Sequence, residues 1–380
     1  MVSTTVGVVN EPSPGESRVS LIPEQVSRLR ADSIDVLVES VAGLGARFGN
    51  GDYESAGASI VSSDKLYARA DIVTRVGAMS TEEAARLRAG QAVAGLLEPL
   101  RFGDIMRDLA KREVTAVSLD MLPRMLSRAQ SMDALSSQAN IAGYKAAVVA
   151  ADSYGRYFPM LTTAAGTSPP AKVLVLGTGV AGLSAIGTAR RLGSVVTAYD
   201  VRPESRAEVE SLGAKFLRLT TAVAATGAGG YARSLTEAER DAQQRELSDQ
   251  IGGFDVIITT AKVPGRKPPL LVTEAALDGM RPGTVVVDMA ASPLGGNVAG
   301  SQEESTVDRN GVAVIGAGNL PSVMAPAAST AYSRNMMSLL GHLLADGVVS
   351  IDPDDEISAG VVITHAGAFV NATVAEAEEG

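Results

Sequence analysis

The chain has 380 residues, of which 46% are hydrophobic and 20% charged, with a net charge of −10. That is enough for two domains with an ample core, and it excludes a disordered polypeptide. The acidic balance argues against nucleic acid and anionic membrane surfaces, and the absence of cysteine excludes disulfides, thiolate metal sites and thiol nucleophiles.

Val6–Val9 reads as a short apolar strand, followed by a turn over Asn10–Glu16. Pro23–Arg30 reads as a helix, with proline at its start and Val26 and Leu29 on one face. Strands are predicted at Ile34–Glu39, near Ser59–Val61 and at Asp71–Val76. Thr81–Ala89 reads as a capped helix opened by Thr81. Strand Gln91–Leu97, helix Phe102–Lys111 and strand Thr115–Ser118 follow. This alternation predicts a mostly parallel sheet. Ser131–Tyr154 is an alanine-rich helical run without proline, read as a link between two domains. Pro159–Ala171, rich in Thr and Pro, suggests an extended arm or hairpin.

Lys172–Leu176 is a β-branched and leucine run that reads as a buried strand. Gly177, Gly179 and Gly182 follow as G-x-G-x-x-G, and Val180–Leu192 carries helix periodicity. Ser194–Tyr199 is a second strand, with Asp200 at its end, eighteen residues after Gly182. This is a βαβ unit of dinucleotide-binding type. Gly177 permits the tight turn, Gly179 lets the backbone approach a pyrophosphate, and Gly182 lets the helix lie against the strand. The helix start, including Val180, offers N–H groups and a positive dipole end to phosphates. Asp200 is placed to bind ribose hydroxyls. The bland alternative is a glycine-rich turn that binds nothing.

Beyond Arg202, helix Glu204–Leu212 and strand Lys215–Arg218 are predicted. Thr221–Gln244 reads as a flexible insertion with a polar helical tail. Strands at Phe254–Thr259, Thr284–Met289 and Val312–Ile315 follow, with a short helix at Glu274–Leu277. Pro326–Leu344 is a long helix expected to return the chain to the first domain, which gains a final strand at Gly360–Ile363. Val173–Ala189 and Gly311–Ser333 are uncharged but read as sheet and turn elements rather than membrane spans. No signal peptide is expected, because the N-terminus lacks a basic and an apolar region. The fold expected is α/β: two Rossmann-like domains with mostly parallel sheets, joined by long linker helices around a cleft. Their bounds are 1–130 plus 335–380 and 140–325, with linkers at about 131–154 and 326–344.

Pro123–Tyr144, PRMLSRAQSMDALSSQANIAGY, is a second cluster of polar groups. It carries Arg124, Arg128, Gln130, Asp133, Ser136, Ser137, Gln138 and Asn140 where a loop becomes the linker helix. Asp133 and Ser136 share a helix face. Such groups at a domain junction suit a cleft where a nicotinamide would lie. Helix capping with a solvated surface is the alternative.

This run resembles the RAQ-loop signature of the NAD(H)-binding component, domain I, of proton-translocating NAD(P) transhydrogenase. EPSPGESRVSLIP at 11–23, AGLGARFGNGDYESAGA at 42–58, YFPMLTTAAGTSPPAKVLVLGTGVAGL, AYDVR, AGGYA, TTAKVPGRKPPLLVT and GNLPSVMAPAASTAYSRN follow in the family's order. The resemblance implies that Gln130, Asp133 and Ser136, with an upstream arginine, hold the nicotinamide end of NAD(H). It implies that Gly177, Gly179, Val180, Asp200 and Arg202 hold the pyrophosphate and adenosine ribose, and that Tyr231 lies on a loop closing over the nucleotide. The family's run reads P-R-x-S-R-A-Q, one residue shorter, so the binding arginine is Arg124 or Arg128. Lys262 stands where an apolar residue is expected.

The activity implied is hydride transfer between NADH and NADP(H) bound on a partner domain, coupled to proton translocation by membrane-spanning subunits. Such a transfer needs two rings at about 3–3.5 Å rather than a general acid or base. The chain carries two histidines, His342 and His365, and neither falls in these clusters. The expected assembly is a soluble homodimer, cytoplasmic and peripheral on the inner face of the plasma membrane through its partners. The runner-up is alanine dehydrogenase, whose lysine and histidine runs correspond to Arg75–Met79 and Leu96–Pro99; both key residues are missing here. A pure NAD(H)-binding or regulatory module is the third reading.

Overall fold

The structure, a computed structural model, describes residues 4–221, 237–263, 265–345, 347–352 and 354–379. The chain divides into two compact units. One is built from the chain up to Gln138 and again from Pro321; the other is Ala139–Leu320.

The first unit carries strands β1 (Thr5–Val8), β2 (Asp35–Glu39), β3 (Ser59–Val61), β4 (Ile72–Thr74), β5 (Ala92–Gly95) and β6 (Thr115–Ser118). The second carries β7 (Leu161–Thr163), β8 (Gly166–Ser168), β9 (Lys172–Leu176), β10 (Val195–Tyr199), β11 (Lys215–Phe216), β12 (Val256–Thr259), β13 (Val285–Asp288), β14 (Thr306–Arg309) and β15 (Val312–Gly316). The chain then returns to the first unit with β16 (Leu344–Ala345), β17 (Val348–Val349), β18 (Val362–His365) and β19 (Ala368–Phe369).

In the first unit the strand order is β19-β18-β6-β5-β4-β1-β2-β3. The pairs from β6 to β3 are parallel, whereas β18 is antiparallel to both neighbours. In the second unit the order is β11-β10-β9-β12-β13-β15-β14, parallel except for β14. Parallel strands covered on both faces read as continuous apolar runs. Accordingly Val256, Ile257 and Ile258 of β12 and Val286 and Val287 of β13 are wholly buried. Apolar clusters fill both faces of each sheet. Of the extended arm or hairpin expected before β9, β7 and β8 form the hairpin.

Several local expectations need correction. The helix expected from Ser131 is a 3-10 turn over Ser127–Met132, followed by an α-helix over Ala134–Ser153. Asp133 separates them because its carboxylate takes the Ser136 N–H at 2.8 Å, an N-cap that competes with continued helix. The helix expected at Thr81–Ala89 spans Thr81–Ala85, and Ser80, not Thr81, is its cap. Ser80 and Glu83 form a reciprocal capping box. The strand expected at Gly360–Ile363 is instead the end of helix Glu356–Val361 running into β18. Strand β14 has no counterpart among the expected elements, because its sequence TVDR is polar and largely exposed.

Candidate functional site

In the second unit the connection from β9 leads to β10 on one side, while β12 pairs on the other. The carboxyl ends of β9 and β12 therefore flank the point where strand order reverses, which is where α/β sheets bind ligands. Gly177 has a φ of +95°, a left-handed conformation that favours glycine. A Cβ on Gly182 would lie 2.0 Å from the Gly177 carbonyl oxygen, so helix Val180–Arg191 packs on the turn as only glycine allows. A Cβ on Gly179 would meet nothing within 4 Å. Gly179 is also the N-cap of that helix. The first N–H groups of that helix thus have no side-chain cap among the described residues, an arrangement suited to a phosphate.

Asp200 follows β10 and closes the turn. Its Oδ2 accepts from the Thr178 N–H at 2.8 Å and the Thr178 hydroxyl at 2.9 Å. Its Oδ1 accepts from the N–H and Nε of Arg202 at 2.9 and 3.0 Å. Burial pushes the Asp200 carboxyl up, but hydrogen bonds from Arg202 and Thr178 outweigh it and hold it below its ordinary value. The carboxylate is therefore ionised at neutral pH. Thr178, fully buried, is a site residue that sequence reasoning misses; its only signal is a hydroxyl inside the G-x-G.

The neighbouring loop is pinned to the same turn. Thr260 donates to the Gly177 carbonyl at 3.1 Å. The buried Asn297 amide accepts from the Ala261 N–H at 3.0 Å and donates to the Ala261 and Pro269 carbonyls at 2.9 and 2.7 Å. Lys262 donates to the Gly318 carbonyl at 3.1 Å, linking the loops that follow β12 and β15. Tyr231 lies outside the described residues.

The polar run of the first unit assembles incompletely. Arg124 donates to Asp133 Oδ2 at 2.9 Å and to the Ser136 hydroxyl at 2.6 Å. The Ser136 hydroxyl donates to Asp133 Oδ2 at 2.7 Å. Burial raises the Asp133 carboxyl, but the Arg124 and Ser136 hydrogen bonds prevail and leave it below its ordinary value. Arg128 points elsewhere, to Asp355 and to Glu356. The Gln130 side chain is exposed and makes no hydrogen bond among the described residues. Ser137 and Gln138 serve the fold: Ser137 donates to Asn335 Oδ1 at 2.7 Å, and Gln138 bridges Arg18 and the Ala328 carbonyl. Asn140 belongs to the second unit, where its carbonyl accepts from the Ser184 hydroxyl at 2.7 Å and its side chain makes no hydrogen bond among the described residues.

A buried charge cluster is likewise invisible to sequence reasoning. Arg75 is fully buried and bonds Glu83 at 2.9 Å, Glu11 at 3.5 Å and the carbonyls of Gly77 and Ala78. Burial pushes the Glu11 carboxyl up to about 7, against the opposing pull of Arg75 and the Val76 N–H.

A parallel sheet, a glycine turn at its switch point and a carboxylate at the end of the next strand define a Rossmann-type α/β protein. Residues 7–142 match the alanine dehydrogenase/PNT N-terminal domain, and residues 146–372 match the alanine dehydrogenase/PNT C-terminal domain. The chain belongs to the alanine dehydrogenase/PNT family. It is 40% identical to NAD(P) transhydrogenase subunit alpha of Cereibacter sphaeroides, over 96% of this chain and 70% of that protein. It is 39% identical to the first part of NAD(P) transhydrogenase subunit alpha of Rhodospirillum rubrum, over 96% of this chain and 97% of that one. The crystal structure of transhydrogenase from Sinorhizobium meliloti superposes with a TM-score of 0.84 at 37% identity, covering 97% of this chain and 99% of that one. These similarities identify a component of the NAD(P) transhydrogenase type. No helix among the described residues is long and apolar enough to cross a membrane.

Proposed function

We propose that this chain binds NAD(H) and passes hydride between it and NADP(H) held on a partner domain, with proton translocation carried by separate membrane-spanning subunits. The observation that carries this reading is the ionised Asp200 carboxylate, set against the open Gly179 turn and the uncapped helix start. Those groups fit a dinucleotide: N–H donors for a pyrophosphate and a carboxylate for ribose hydroxyls. A 2′-phosphate beside Asp200 would meet like charge, so NAD(H) is favoured over NADP(H).

Bound NAD(H) would supply the hydride; the chain supplies position. Gly177, Gly179, Val180 and Gly182 would hold the pyrophosphate, and Asp200 and Arg202 the adenosine ribose. Asp133, Ser136 and Gln130 would hold the nicotinamide end, and Tyr231 would lie on a closing loop. Arg124 is favoured over Arg128 as the binding arginine, because it is already fixed on Asp133 and Ser136. No side chain need move a proton at the reacting carbon; two rings brought to about 3–3.5 Å suffice. Residues 1–130 with 335–380 and residues 140–325 would act as two domains about helices near 131–154 and 326–344. The assembly would be a homodimer, cytoplasmic and peripheral at the inner face of the plasma membrane.

The alternative, alanine oxidation, draws no support from the first unit. Arg75 is spent on Glu11 and Glu83, and Leu96–Pro99 offers no imidazole. Three assays discriminate: NADH titration by fluorescence, alanine-dependent NADH formation, and hydride transfer after an NADP(H)-binding domain is added. NADH binding with transfer only in the reconstituted complex is the expected result. Alanine-dependent turnover, or no transfer with an active partner, would refute the proposal.

A further inference from the structure

Loops leave the carboxyl ends of β12, β13 and β15, and each is tied to the next. Asn297, in the loop after β13, holds the loop after β12 through Ala261 and Pro269. The loop after β15 meets the loop after β13 through main chain. There the Ala317 N–H donates to the Asp288 carbonyl at 2.8 Å, and a Cβ on Gly318 would lie 2.2 Å from the Ala291 carbonyl oxygen. Asn297, Asp288 and Ala291 are buried. Lys262 makes a tie of another kind. It is exposed, and its ammonium reaches from the loop after β12 to the Gly318 carbonyl after β15, past the intervening end of β13. Two strand spacings, about 10 Å, separate β12 from β15. An apolar side chain at this place would have no donor to bond across them.

A dinucleotide lies across the switch point with one half on either side. In the nucleotide reading, Asp200 after β10 takes the adenosine ribose, so the nicotinamide half falls on the side of β12, β13 and β15. We propose that Lys262 is a positioning residue for that half: it straps the loops after β12 and β15 together and keeps rigid the floor on which the nicotinamide end rests, without touching the nucleotide. The proposal rests on the nucleotide reading above and adds to it a residue to which that reading gives no role. Loss of the strap would leave the Thr260 bond to Gly177 and the Asn297 bonds to Ala261 in place. The adenosine half and the pyrophosphate would keep their seat, and the damage would fall on the nicotinamide end. A floor that must be ordered on binding costs affinity, and a ring displaced from its transfer position costs rate.

The test compares the wild type with Lys262→Met, which keeps a long side chain without a donor, and Lys262→Arg, which keeps a cationic donor. NADH binding is followed by fluorescence. Binding of 5′-AMP and ADP, which probe the adenosine half and the pyrophosphate alone, is followed by calorimetry. Hydride transfer at saturating NADH is measured in the complex reconstituted with an NADP(H)-binding domain, and circular dichroism melts report on the fold. Lys262→Met is expected to bind NADH at least about fivefold more weakly and to transfer hydride at least about tenfold more slowly. Its affinities for 5′-AMP and ADP are expected to stay within about twofold of wild type, and its melting temperature within about 2 °C, as for an exposed substitution. Lys262→Arg is expected to bring NADH affinity and rate back to within about threefold of wild type, because a single carbonyl asks for one donor rather than a fork. Lys262→Met with wild-type NADH affinity and rate would overturn the strap. So would ADP binding lost in proportion to NADH binding, which would put the ammonium on a phosphate, a loss that follows a lowered melting temperature, or Lys262→Arg no better than Lys262→Met. A wild type that binds neither NADH nor 5′-AMP would refute the nucleotide reading itself, an outcome distinct from these.

Discussion

Arg128 pairs with Asp355, the carboxylate that caps helix Glu356–Val361, while Arg124 takes Asp133. The two arginines of one short loop are thus committed to different partners. Arg124→Ala is expected to weaken NADH binding at least about tenfold, because it removes a charge-assisted donor from the Asp133–Ser136 cluster. Arg128→Ala is expected to leave NADH affinity within about threefold. Fluorescence titration of both variants checks the pair, and the reverse pattern would move the binding role to Arg128.

Gln130 calls for a different readout. Its amide has one acceptor and two donors, and none is used within the chain among the described residues. Gln130→Asn shortens the reach by one methylene. NADH affinity is expected to stay within a few-fold, while hydride transfer in the reconstituted complex falls by at least roughly tenfold, or about 1.4 kcal/mol of barrier. Stopped-flow single turnovers beside equilibrium titration decide it. An unchanged rate, or affinity lost in step with rate, would remove Gln130 from the site.

The glycines of the turn separate fold from ligand. Gly182→Ala would drive a methyl group into the Gly177 carbonyl, a backbone atom that cannot swing aside. A stability loss of about 3 kcal/mol is expected in denaturant unfolding. Gly179 has an ordinary φ of −70° and open space around it. Gly179→Ala is expected to keep stability within about 1 kcal/mol and to weaken NADH binding at least about tenfold, because its methyl group would stand where a phosphate approaches.

Glu11 gives a pH signature. Its carboxyl rises from an ordinary 4.5 to about 7 in the folded chain, chiefly through burial. The folded state then binds more protons than the unfolded state between those values, so this group's contribution to stability is greatest at low pH and declines as pH rises through the window. Glu11→Gln stays neutral throughout and leaves Glu83 to balance Arg75. The melting temperature of the variant relative to wild type is expected to climb between pH 5 and pH 8, by the equivalent of on the order of 2 kcal/mol. A difference independent of pH would show that Glu11 does not titrate there.

How much of this is legible in the sequence depends on the range of the interaction. The βαβ unit can be read because its strands, glycines and Asp200 lie within one short segment and obey simple periods. Asp133 and Ser136 can be paired from their spacing of three, although the contact they make is an N-cap at the helix start rather than a pair on one helix face. The commitment of Arg128 to Asp355 cannot be read, since that pair spans 227 positions. Strand β14 stays hidden because an exposed antiparallel edge strand needs no apolar alternation. The cap at Ser80 is displaced by one residue because Ser80 and Thr81 are both good caps, and only the geometry of Glu83 chooses between them.

The pairing of β18 with β6 has a consequence for biosynthesis. β6 ends at Ser118, and its antiparallel neighbour begins at Val362. At ribosomal rates of about 5–20 residues per second, the intervening chain takes roughly 12–50 s to emerge. Throughout that interval β6 is a bare sheet edge on a nascent polypeptide, open to pairing with a neighbouring chain. The second unit is contiguous and can close on itself in the meantime. Overexpression that outpaces chaperone capacity should therefore lose protein through the half-made first sheet.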